Sequence, residues 1–92
     1  IADSISAGAP RNLNLAVKAI KESKGFAIAI SDEAILISQK EFIKSTGVFC
    51  EPSSAATYAA YKNLLTDKRL EDKSVLHLIT GNGLKDIESL KR

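Results

Sequence analysis

Seven consecutive residues, Thr80-Gly81-Asn82-Gly83-Leu84-Lys85-Asp86, bring a hydroxyl, an amide, an ammonium and a carboxylate together with two glycines. They follow the apolar run Val75 to Ile79, which reads as a buried parallel strand. An α/β sheet presents its ligand site where such a strand stops and the chain turns, through positions that glycine tolerates easily, into a helix. Thr80 would there be a fixed, uncharged hydrogen-bonding group at the carboxyl end of a strand. Taken alone the motif is weak, because many glycine-rich turns after strands only connect elements.

The other groups capable of chemistry each have a plainer reading beside the functional one. Glu51 precedes Pro52 and follows Val48-Phe49-Cys50; a carboxylate in that place is commonly a solvated cap, although the three apolar residues hint at partial burial. His77 lies inside an apolar run and is expected to hydrogen-bond at a sheet face rather than act as a base. Cys50 has no neighbouring His or basic cluster to lower its pKa, which argues against a nucleophile. Lys85 stands beside Asp86, which favours a paired ammonium over a Schiff-base lysine. Tyr58 and Tyr61 read as packing residues, and Arg11-Asn12 as either an anion contact or an exposed loop. One Cys and one His assemble neither an internal disulfide nor a zinc site.

The elements that must position these groups follow from caps and periodicity. Residues 1–11, with Gly8 and Pro10, read as a strand end and a loop. Asn12 is the expected N-cap of a helix from Leu13 to about Ser23, closed by Gly25 in the left-handed conformation. Phe26 to Ile30 reads as a buried parallel strand. Ser31-Asp32-Glu33 caps a second helix, with Ile35, Leu36, Phe42 and Ile43 on its apolar stripe, ending near Gly47. Glu51-Pro52-Ser53-Ser54 opens a third, whose Ala55, Ala56, Ala59 and Ala60 would let it approach a sheet or ligand closely. Thr66 to Ser74 is a charged loop, Val75 to Thr80 the second strand, and Asp86 to Leu90 a short last helix. The expectation is an α/β fold, a partial parallel sheet with flanking helices.

Composition narrows the function. Ninety-two residues make one small domain at most, burying about 60 to 65% of its unfolded surface. A net charge of +2 without a concentrated basic block argues against nucleic acid as a partner, and no apolar run approaches a membrane span. No signal peptide is read in the sequence, and the cysteine usage suits a cytoplasmic protein. The chain has no Met and begins with Ile1, which points to a fragment of a longer protein whose remaining strands lie upstream.

Two segments together, Gly47-Val48-Phe49-Cys50-Glu51-Pro52-Ser53-Ser54-Ala55-Ala56 and Thr80-Gly81-Asn82-Gly83-Leu84-Lys85-Asp86, resemble the carboxyl-terminal part of the threonine synthase family. The opening Ile1-Ala2-Asp3-Ser4-Ile5 with Gly8 and Pro10 falls in the same order, and also resembles serine racemase and threonine dehydratase. The resemblance covers nearly the whole chain. It implies a fold-type II pyridoxal-phosphate enzyme that converts O-phosphohomoserine to threonine and phosphate, with residues 1–92 as the carboxyl-terminal piece of its large domain.

By the same resemblance, the Thr80 hydroxyl faces the pyridine nitrogen of the cofactor, Ser4 lies in the backbone stretch against the ring, Glu51 stands behind Thr80, and Gly81 and Gly83 let the chain turn under the ring. Asn82 departs from the His common in the family. The Schiff-base lysine and the loop that holds the cofactor phosphate belong to upstream sequence, so this chain alone is expected to be inactive. The implied partners are the small-molecule substrate, the rest of the enzyme and a second copy in a homodimer. The alternatives are a threonine or serine dehydratase-like enzyme and a non-catalytic α/β module.

Overall fold

Two helices packed against one another carry the core, and the segment joining them holds the candidate site. The computed structural model describes residues 1–91. Helix α1 spans Leu13–Glu22, α2 spans Asp32–Thr46 and α3 spans Pro52–Asn63. Short 3-10 turns cover Asp3–Ile5, where the sequence suggests a strand end, and Lys68–Leu70 in the charged loop. A longer 3-10 segment, Gly83–Lys91, is broken at Asp86 (φ −143°, ψ 64°) and replaces the expected last helix.

Helix α2 starts and stops where its local signals say. Ser31 Oγ accepts from the Ala34 amide at 3.2 Å, satisfying one of the unpaired donors of the first turn. Asp32 and Glu33 lie at the positive end of the helix dipole and Lys44 near the negative end. Gly47 takes φ 74° and donates to Ile43 O at 2.9 Å, closing the helix in a conformation that costs glycine little. Helix α3 has Pro52 at its first position, where a missing N–H removes no helical bond.

Helix α1 begins and ends where expected, with Asn12 at its N-cap position and Ser23 at its C-cap, but both ends are made differently. Asn12 makes no side-chain cap bond. The left-handed residue at the other end is Lys24 (φ 56°), while Gly25 donates to Ile20 O at 2.8 Å from the next position. No residue of α1 is buried.

The core is Ile35 from α2, Ala55 and Ala59 from α3, and Cys50 from the link between them, each at most 4% exposed. Ile30, Ala34, Phe42 and Ala56 pack around it. Ala55 and Ala59 are one helical turn apart, so their small side chains face the same way and let the helices approach closely. The alanine face meets α2 rather than a sheet.

The expected partial parallel sheet is not present: the described residues contain no strand. Among the described residues, the one bridge between backbone segments is an isolated antiparallel pairing of Cys50 with Asn82. Phe26 to Ile30 and Val75 to Ile79 make no ladder bonds, and Leu76 is 84% exposed. An apolar, β-branched run records a preference for a pleated, half-buried surface, whereas a strand exists only when a neighbouring backbone completes the ladder. Neither run has such a neighbour among the described residues. His77 accordingly lies at no sheet face; its ring meets Phe42, Tyr58 and Tyr61 edge-on, with centroids 5.4 to 6.4 Å away. No helix among the described residues is long and apolar enough to cross a membrane.

Candidate functional site

The link between α2 and α3 is fixed from the core side by Gln39, whose Nε2 donates to Cys50 O at 2.8 Å in a buried environment. With Cys50 held, Phe49 and Glu51 on either side turn to the opposite segment. The Glu51 amide donates to Gly81 O at 3.0 Å, and the Gly83 amide donates to Phe49 O at 3.0 Å. These two bonds bring the Thr80 to Gly83 turn against residues 49–51.

Glu51 is 3% exposed, yet it is ionised among partners. Its Oε2 accepts from Ser4 Oγ at 2.7 Å and pairs with Lys85 Nζ at 2.7 Å. The Lys85 hydrogen bond, then the Ser4 hydrogen bond, hold the carboxyl below its ordinary value of 4.5, against the opposing effect of burial. The Thr80 hydroxyl, close to the carboxylate, adds the smallest contribution. Lys85 thus pairs with Glu51 rather than with its neighbour Asp86. A buried carboxylate is a stronger attractor than an exposed one because water screens it less.

The two glycines are required by space rather than by backbone angle. Neither has a positive φ. A Cβ on Gly81 would collide with the Glu51 carboxylate, and one on Gly83 would collide with the Phe49 ring.

Thr80 itself is held by a residue the sequence reading does not single out. Ser54, in the first turn of α3 and 1% exposed, accepts from the Thr80 amide at 3.0 Å and from the Gly81 amide at 3.3 Å. Its hydroxyl also lies 3.3 Å from Thr80 Oγ1. The Thr80 side of this contact is exposed. Ser54 is 26 positions from Thr80, and no local pattern marks such a pairing; the nearest signal is a hydroxyl placed in the first turn after Glu51-Pro52.

Thr80, Gly81, Glu51 and Ser4 are therefore brought together, joined by Lys85 and Ser54. A cavity of about 560 Å³ opens on the Ser4, Glu51 and Lys85 side and does not reach Thr80. Cys50 stands apart: its thiol is buried, and burial first, then the nearby Glu51 charge, raises its pKa, which disfavours the thiolate a nucleophile needs. His77 packs among rings, and Arg11 is exposed in its loop. No cluster able to hold a metal is present among the described residues.

Comparison with known proteins gives a consistent result. The family described as pyridoxal-phosphate dependent enzyme matches residues 1–81. The chain is 39% identical over 93 residues to a threonine synthase of Methanocaldococcus jannaschii, a match covering 100% of this chain and 23% of that protein. It is 39% identical over 87 residues to one from Bacillus sp. (strain ULM1), covering 94% of this chain and 25% of the relative. For a threonine synthase of Mycobacterium bovis the identity is 40% over 87 residues, covering 94% and 24%. The chain spans about a quarter of the length of these curated relatives.

Proposed function

Because the chain belongs to the family of pyridoxal-phosphate dependent enzymes, we propose that it is the carboxyl-terminal piece of a fold-type II enzyme with threonine synthase activity. The parent would convert O-phosphohomoserine and water to threonine and phosphate. One observation carries the reading: 94 to 100% of the chain aligns with proteins bearing that name.

The residues at the corner fit the cofactor. The Thr80 hydroxyl is uncharged and belongs to an exposed residue whose backbone Ser54 holds at 3.0 Å, so it can meet a neutral ring nitrogen without protonating it. Bound there, pyridoxal phosphate would supply an electron sink that lets bonds at the substrate's β and γ carbons break. A hydroxyl moderates that sink, where a carboxylate would strengthen it. The Ser4 stretch would flank the ring, while Glu51 ties it to the Thr80 turn by holding Ser4 Oγ and, through its own amide, the Gly81 carbonyl. Gly81 keeps the turn free of a side chain that would displace the carboxylate.

Lys85 is engaged by Glu51 and would not make the covalent link to the cofactor. That lysine would belong to sequence outside this chain, so the chain alone would be inactive. A homodimeric, cytoplasmic parent is part of the same proposal.

The test is an assay of the full-length parent, following phosphate and threonine formed from O-phosphohomoserine, with threonine and serine as competing substrates. Phosphate release with threonine formation is the expected result. Turnover of threonine or serine alone would make the parent dehydratase-like. Absence of any borohydride-reducible cofactor band in the visible spectrum would instead indicate a non-catalytic module.

A further inference from the structure

A serine hydroxyl has two lone pairs and one hydrogen. At Ser54 the Thr80 and Gly81 amides, at 3.0 and 3.3 Å, occupy both lone pairs. Ser54 is 1% exposed, so solvent does not compete for its hydrogen, and the acceptor in reach is Thr80 Oγ1 at 3.3 Å. Ser54 is thus the donor of that pair and Thr80 the acceptor. A hydroxyl that accepts one hydrogen bond becomes a stronger donor through its own hydrogen. The Glu51 carboxylate is the competing acceptor for that hydrogen: its Oε2 already receives Ser4 and Lys85 at 2.7 Å each, and of the groups that hold it ionised Thr80 contributes least.

We infer that Ser54 is a positioning residue that orients the Thr80 hydroxyl as a hydrogen-bond donor, selecting an unprotonated ring nitrogen in the cofactor over a protonated one. The inference rests on the proposed pairing of Thr80 with that nitrogen. It assigns to the first turn of α3 a role in the electronics of the site that its distance in sequence conceals. Ser54 acts through Thr80 and touches no cofactor atom itself.

The experiment loads the full-length protein with pyridoxal phosphate carrying ¹⁵N in the ring and records the nitrogen chemical shift. The wild type, Ser54→Ala, Thr80→Val and the double variant form a cycle. Ser54→Ala is expected to move the shift downfield, toward a nitrogen without a donor, and to raise the cofactor Kd about fivefold. In the Thr80→Val background it is expected to change the shift no further. An equal displacement in both backgrounds, or none in either, overturns the inference.

Should Ser54→Ala fail to fold, Ser54→Cys keeps much of the side-chain volume with a weaker donor and is read through the same cycle. The two levels of the proposal fail differently. A wild-type protein that binds no cofactor defeats the threonine synthase reading and this inference with it, whereas a bound cofactor with additive shifts defeats the inference alone.

Discussion

Gly81 lies directly against the Glu51 carboxylate: the Glu51 amide donates to the Gly81 carbonyl at 3.0 Å, and a methyl group on Gly81 would occupy the position of Glu51 Oε1. The end of a glutamate side chain ordinarily moves aside at little cost. Here it would have to give up Ser4 and Lys85, both at 2.7 Å. Gly81→Ala is therefore expected to destabilise the full-length protein by about 1–3 kcal/mol. A denaturation midpoint lowered with an unchanged slope is the signature; an unchanged midpoint would mean that Glu51 is free to move.

The same carboxylate sets a pH dependence. Its folded pKa is depressed below the ordinary 4.5 by Lys85 and Ser4, so in acid the unfolded chain takes up this proton more readily than the folded one. The contribution to stability is fully present above about pH 4.5 and is lost as pH falls through the depressed folded value. Glu51→Gln is expected to lower stability at neutral pH and to flatten the acid slope. Melting curves from pH 7 down to the acid limit, for both proteins, check this. Parallel curves would assign the acid slope to other carboxylates.

Gln39 anchors the link from beneath, and its two amide atoms have opposite fates. Nε2 donates to Cys50 O at 2.8 Å, while Oε1 is buried without a partner. Gln39→Ala removes the bond and opens a cavity, for an expected cost of about 2–4 kcal/mol. Gln39→Met fills nearly the same volume and removes the orphaned oxygen along with the donor, so its cost is expected to be smaller, about 1–2 kcal/mol. Equal costs for the two variants, measured by denaturant unfolding, would show that packing alone matters at this position.

What was legible in the sequence was what a few adjacent residues decide. Ser31 and Gly47 bracket α2 because capping needs only a hydroxyl or a left-handed backbone at one position. Pro52 opens α3 for a similarly local reason. The apolar runs at Phe26 to Ile30 and Val75 to Ile79 were legible as runs, but a ladder needs a second backbone that no local pattern can supply. Asn12 had the right chemistry for a cap and no capping geometry.

At the site, the proximity of Thr80, Glu51 and Ser4 was implied by family resemblance; spacing did not show it. Glycine chemistry predicted freedom of turning at Gly81 and Gly83, whereas the actual constraint is the room each leaves for a side chain from residues 49–51. Ser54 was hidden because its partners lie 26 and 27 positions away. Adjacency pairs Lys85 with Asp86, yet a buried carboxylate 34 positions earlier binds it at 2.7 Å.

Thr80 offers the most direct test of how the corner would treat a cofactor. Its hydroxyl is neutral and rests on Ser54, so the proposed nitrogen contact leaves the ring unprotonated. Thr80→Asp would place a carboxylate there, within reach of the Ser54 hydrogen and beside the Glu51 charge. If the nitrogen contact is real, the new charge draws a proton onto the ring nitrogen, and turnover of O-phosphohomoserine by the full-length protein falls by about a hundredfold. The change should appear both in kcat and in the ring-nitrogen ¹⁵N shift, which moves strongly upfield on protonation. Like-charge repulsion from Glu51 could lower kcat by distorting the turn, but it would leave the nitrogen unprotonated. The shift therefore separates the two causes, and an unmoved shift with unchanged turnover would remove Thr80 from the cofactor's surroundings.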